Sequence, residues 1–249
     1  MDFNSIFVNR IGKSLNSFMK TIKLIRTIEP GTWVILENNK LLDANEPDNT
    51  HEIICDKLYE QNDTGINCVS VSGRFIKNFL GEASSNNILG KNDWFITETK
   101  HISIPVTKTT KQNLKFFGCT LIEPGCSFKL VHDQILPLFE VSIGKNYVKD
   151  YLLEPEFGDG FYIETHNTPH YHQPLSSKCS GHLILGIFIE SKLILTKFAI
   201  PYGYGIYMPG NTLHSDAFLI GDYAVVYTKT LDYSTYLITT TNRKIVQVE

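Results

Sequence analysis

Eight histidines are spread along the chain, and five of them fall between positions 166 and 214: His166, His170, His172, His182 and His214. His170-Tyr171-His172 has the alternate spacing that, on a β-strand, turns both imidazoles to one face. Two neutral imidazoles on one face are half of a metal site, and imidazole nitrogen serves Zn, Fe, Cu and Ni. A metal held this way can polarise an oxygen of a substrate or bring two reactants together. His51, His101 and His132 stand alone and are expected to be structural or exposed. No HExxH, GxSxG, Walker loop or GxGxxG occurs, which sets aside zincins, α/β-hydrolases, P-loop enzymes and Rossmann dehydrogenases.

The context of the pair lies downstream. Gly203-Tyr204-Gly205-Ile206-Tyr207-Met208-Pro209-Gly210-Asn211-Thr212-Leu213-His214 places Pro209 after five intervening residues and His214 five beyond it. This stretch resembles the second motif of the cupin family. Asn211 stands where the family has Gly, a mild change because Asn tolerates left-handed backbone. Phe218 stands where the family has its closing Asn. The first motif is more degenerate: Glu164 stands where the family has Gly, and Ser176 and Ser177 where it has a Glu ligand. Counting back from the hairpin turn Glu190-Ser191-Lys192, the resemblance places His182 at that ligand position.

The resemblance implies an all-β, jelly-roll barrel whose two motifs lie on facing strands. It implies a divalent metal held by His170, His172, His182 and His214. Iron is the first expectation, with Zn, Ni and Mn as alternatives. Glu164, His166 and Tyr207 are then acid–base candidates by proximity, although spacing does not decide whether Tyr207 faces the pocket or the core. All-His sites in this superfamily resemble those of iron dioxygenases, so an iron-type dioxygenase acting on a small molecule is the first functional expectation. A cupin-type sugar isomerase or epimerase is the alternative, and a ligand-binding barrel without catalysis the third. His214-Ser215-Asp216 also fits the H-x-D pair of the iron and 2-oxoglutarate oxygenases, but that motif needs a second His downstream and none follows.

The elements that must carry these residues read as β-structure. Residues 32–36 and 40–42 form two short strands around Asn38-Asn39, a hairpin signal. Apolar runs alternate with turn residues over 68–71, 94–97, 102–106, 114–122, 128–131, 138–143, 160–164, 183–189, 193–199, 205–208, 224–228 and 236–239. Many short strands with regular turns indicate an antiparallel sandwich or barrel. Residues 3–25 differ: Phe3, Ile6, Phe7, Ile11, Leu15, Phe18, Met19, Ile22 and Ile25 recur at spacings of three and four, an amphipathic helix. Its basic residues are Arg10, Lys13, Lys20, Lys23 and Arg26, and its apolar face is expected to pack on the sheet or against a second copy in a homodimer. Residues 43–63 are acidic and are expected to stay solvated around one short helix. Three segments follow: 1–28 as the helix, 29–109 as a β-rich extension and 110–249 as the barrel. Ile28-Glu29-Pro30-Gly31 echoes Ile122-Glu123-Pro124-Gly125, too short a match to indicate two barrels.

Composition bounds the rest. The 249 residues are 42% hydrophobic and 20% charged, ordinary globular values that exclude wholesale disorder. A net charge of −3 argues against a dedicated nucleic-acid binder. No run of apolar residues is long enough to predict a membrane span. Five cysteines without a CxxC pair suggest a reducing, cytoplasmic compartment rather than a disulfide framework.

Overall fold

The structure is a computed structural model and describes residues 21–46, 65–76, 91–156, 158–227, 230 and 232–249. In chain order the elements are β1 (Thr21–Ile28), β2 (Trp33–Glu37), β3 (Lys40–Ala44), β4 (Val69–Ser72), β5 (Arg74–Ile76), β6 (Lys91–Thr97), β7 (His101–Ile102), α1 (Lys111–Lys115), β8 (Thr120–Ile122), β9 (Ser127–Lys129) and β10 (Leu136–Ile143). A π-helical turn, Val148–Leu152, leads to β11 (Tyr162–His166), β12 (His170–Pro174), β13 (Ser180–Gly181), β14 (Leu183–Ile189), β15 (Lys192–Phe198), β16 (Gly205–Met208), β17 (Leu213–Ser215), β18 (Leu219–Val226), β19 (Tyr233–Thr240) and β20 (Gln247–Val248).

The protein is all-β and barrel-like. One sheet runs β1-β10-β18-β12-β16-β8, with β13 against β18; the facing sheet runs β4-β15-β14-β17-β11-β19-β6-β5. Strands from 29–109 are thus built into the same sheets as strands from 110–249. Alternation along each strand sorts the side chains. Phe139, Val141, Ile206, Met208, Tyr223 and Val225 of the first sheet meet Leu183, Leu185, Ile187 and Tyr162 of the second in one core. Residues of opposite parity, Tyr171, Tyr207, Ala224 and Val226, turn to the other face, where β3-β2-β9 covers them with Val34, Leu36, Leu41 and Phe128. Each fully buried side chain of this size contributes about 1.5–3 kcal/mol.

The small sheet follows from turn chemistry. Asn38 and Asn39 both hold positive φ, 50° and 57°, as the tight turn between β2 and β3 requires. The Pro-Gly echo is a pair of similar turns: Thr32 N–H donates to Glu29 O and Cys126 N–H to Glu123 O, with Gly31 and Gly125 at φ 78° and 79°. One turn feeds β2 and the other β9, and these two strands pair.

Two expectations are corrected. Of the helix expected over 3–25, residues 1–20 lie outside the described residues, and 21–25 belong to β1, paired with β10. The register shifts between Leu24 and Arg26, so Ile25 is an extra residue in the strand. Ile22 therefore pairs with Val141 on the inner face, while Ile28 pairs with Leu136 of the second core. A bulge that flips faces converts alternation into a spacing of three, which imitates a helix. Likewise only the end of 114–122 is strand. Its start belongs to α1, where the Thr110 hydroxyl caps Asn113 N–H at 3.1 Å. The acidic stretch 43–63 falls mostly outside the described residues. Among the described residues, no helix is long and apolar enough to cross a membrane.

Candidate metal centre

Three strands meet at the site. β11 and β17 are neighbours in one sheet, with Glu164 directly opposite His214. β12 faces them from the other sheet, where His170 pairs with Met208 and His172 with Ile206, both inner-face residues. The turn before β17 explains how His214 arrives there. A Cβ on Gly210 would lie 2.4 Å from Asn167 O, so only glycine lets this turn touch the β11–β12 connection. Asn211 takes a left-handed φ of 65° and donates its N–H to His166 O at 2.6 Å. Asn211, an Asn that tolerates this left-handed backbone, thus closes the turn.

Three imidazoles converge. One nitrogen from each of His166, His170 and His214 lies within 4.8 Å of the others. The ring centroids of His166 and His170 are 4.0 Å apart, and those of His170 and His214 4.7 Å. His214 Nδ1–H donates to Thr212 O at 3.0 Å, which directs the lone pair of Nε2 into the cluster. The Thr168 hydroxyl lies 2.9 Å from His166 Nδ1 and orients that ring. His170 Nδ1 and His214 Nε2 are both buried without a hydrogen-bond partner. Burial holds the His170 pKa well below the usual imidazole range, and the neighbouring His166, His214 and His172 push it the same way. His170 is therefore neutral at neutral pH, the form that binds a metal. Three closely set imidazole nitrogens fit a borderline divalent cation.

The carboxylates lie around this cluster. Glu164 Oε1 is 3.6 Å from His214 Nε2. Asp216 is buried; Tyr162 donates to its Oδ1 at 3.4 Å, Tyr227 donates to its Oδ2, and His172 Nε2 stands 3.8 Å from that same oxygen. Burial and the Asp216 charge raise the Tyr227 pKa well above its ordinary value, so the phenol keeps its proton and donates. The Tyr227 ring stands edge-on to both His170 and His172, at 4.8 and 6.1 Å between centroids.

The residues expected from sequence divide accordingly. His170 and His214 come together, and His166, expected only as an acid–base candidate, joins them in the cluster. His172 is adjacent, 5.7 Å from His170 between ring centroids, but outside the set of three. His182 is not brought to the site. It precedes β14, where Leu185 pairs with His214 but Ile184 pairs with Ser215 and Lys197; His182 shares the parity of Ile184, and the charge beside it is Lys197. Tyr207 is also directed elsewhere: it packs with Phe128 in the second core, across the sheet from His170. Of the lone histidines, His101 lies beside Glu249 and His132 beside Asp133, while His51 is outside the described residues. Sequence reasoning weighed Asp216 only as the H-x-D partner of His214 and set it aside, and it missed Tyr227. The signal for Asp216 was its place two residues after His214, the spacing that also relates Glu164 to His166. No protein-family model, curated protein or solved structure matches the chain.

Proposed function

We propose that the barrel is a cupin-like, metal-dependent enzyme acting on a small molecule, with His166, His170 and His214 as the ligands of one divalent ion. The observation that carries the reading is the convergence of three imidazole nitrogens from three separate strands within 4.8 Å. An all-imidazole set brings no ligand charge of its own to the ion and leaves it Lewis acidic, and the resemblance to the all-His sites of cupin dioxygenases makes iron-type oxidative chemistry on a bound small molecule the reaction class of this reading. When bound, the ion would polarise an oxygen of the substrate and, as iron, would hold dioxygen beside the substrate that supplies the electrons to reduce it. The chain's own contribution is orientation and exclusion of water. His214 is fixed by the Thr212 carbonyl and His166 by Thr168, while buried Tyr162 and half-buried Tyr227 wall the surroundings against water. Glu164, half-buried and beside His214, is the carboxylate placed to hold or accept a substrate proton.

Elemental analysis of the purified wild type beside His170→Ala and His214→Ala tests the metal. The expected result is one equivalent per chain in the wild type and none in either variant. Oxygen uptake with catechols, diketones and thiols then tests the reaction class. Iron without any oxygen consumption, together with turnover of a sugar substrate, would transfer the assignment to the isomerases. A wild type free of metal after growth and loading would overturn the proposal.

A further inference from the structure

We infer that the two histidines of the H-x-H pair divide their work: His170 faces the ion, while His172 stands off it beside Asp216, whose carboxylate tunes the centre without touching the metal. This rests on the metal reading above and deepens it. A strand turns both imidazoles to one face, and an H-x-H pair would ordinarily present two ligands together. Here only His170 belongs to the set of three converging nitrogens. His172 Nε2 is instead 3.8 Å from Asp216 Oδ2.

Tyr227 follows the end of β18 and stands edge-on to both, at 75° to His170 and 90° to His172. It thereby forms a wall beside the two imidazoles, and its hydroxyl donates to Asp216 Oδ2. Tyr162, from β11, donates to Oδ1. Both oxygens of the carboxylate are thus fixed by phenols, and the anion is anchored at the side of the site rather than free to swing onto an ion. An anchored negative charge beside a cluster of imidazoles favours a dication there, because attraction is weakly screened where water is excluded. Outer partners of this kind typically change metal affinity by roughly 10–100-fold when removed. Asp216 accordingly acts on the centre through its charge, and neither it nor His172 is a ligand.

The test uses the full chain and Co2+, whose visible absorption reports the ligands directly. His172→Gln is expected to bind one Co2+ with the wild-type spectrum, whereas His166→Ala and His214→Ala lose the ion. Asp216→Asn is expected to keep one Co2+ and the same spectrum while its affinity falls about ten-fold. Its metal-free thermal midpoint is expected not to drop, which separates an electrostatic role from a merely structural one. Tyr227→Phe keeps the ring and loses the hydroxyl, so it serves as a second handle: affinity should move and the spectrum should not. Loss of Co2+ or an altered spectrum in His172→Gln would make His172 a ligand and overturn the division. Unchanged Co2+ affinity in both Asp216→Asn and Tyr227→Phe would overturn the role of the carboxylate. A wild type that takes up no Co2+ would instead bring down the metal reading beneath it, a separate result.

Discussion

His182 lies just before β14, outside the set of three imidazoles that includes His214, and its surroundings can be read in solution. Burial and the Lys197 charge hold the His182 pKa below its ordinary value of 6.5. In acid the unfolded chain therefore takes up a proton on this ring before the folded chain does. Stability tied to His182 is full above that value and is lost as pH falls towards the lowered folded pKa. His182→Gln is expected to flatten the fall in urea midpoint between about pH 7.5 and 5.5 relative to wild type. An equal fall in both proteins would refute the assignment. Individual residues of the site were partly legible in sequence. His170 and His214 announced themselves by spacing, whereas His182 was placed by counting across a family motif, and counting ignores parity. Glu164 and His166 share parity on β11, so the same rule that marked His170 and His172 also marks this pair.

At the level of the element, the strand that carries His170 and His172 is registered from its far side. Tyr171 OH donates to Gln173 Oε1 at 3.0 Å, Gln173 Nε2 to Asn39 Oδ1 at 3.1 Å, and Asn39 Nδ2 to Pro174 O at 3.1 Å. This chain ties the β2–β3 turn to β12, and Gln173 within it is fully buried. Gln173→Leu would strand the buried Tyr171 hydroxyl and take the partner of the Asn39 side-chain carbonyl. It is expected to lower unfolding free energy by about 1–3 kcal/mol in urea titrations, because desolvated polar groups lose their partners. A change under about 0.5 kcal/mol would place the network outside the folded core's accounting. The hairpin itself was readable, since Asn38-Asn39 between apolar runs specifies its turn. β17 was not, because three residues are too few for a period to register. β1 was misread because one extra residue, Ile25, changed its rhythm.

Over the whole molecule, the metal proposal makes the stability of two sheets depend on one ion. His166 and His214 come from one sheet and His170 from the other, so an ion shared among them bridges the barrel across its main core. Unfolding separates these strands and releases the ion, so binding adds directly to folding free energy. At a free metal concentration near 100 times the dissociation constant, the gain is about 2.7 kcal/mol. For a chain of this size, roughly 2–4 °C accompanies each kcal/mol, so the thermal midpoint should rise by roughly 5–11 °C. Scanning calorimetry of the chelator-treated wild type, with and without added Zn2+ or Co2+, checks this. His170→Ala removes the only cluster ligand on the β12 sheet and should remove the rise, whereas His182→Gln should retain it in full. The outcome that would sink the bridging argument is a midpoint in His170→Ala that climbs with metal as far as the wild type's, because the ion would then be stabilising the fold from somewhere else.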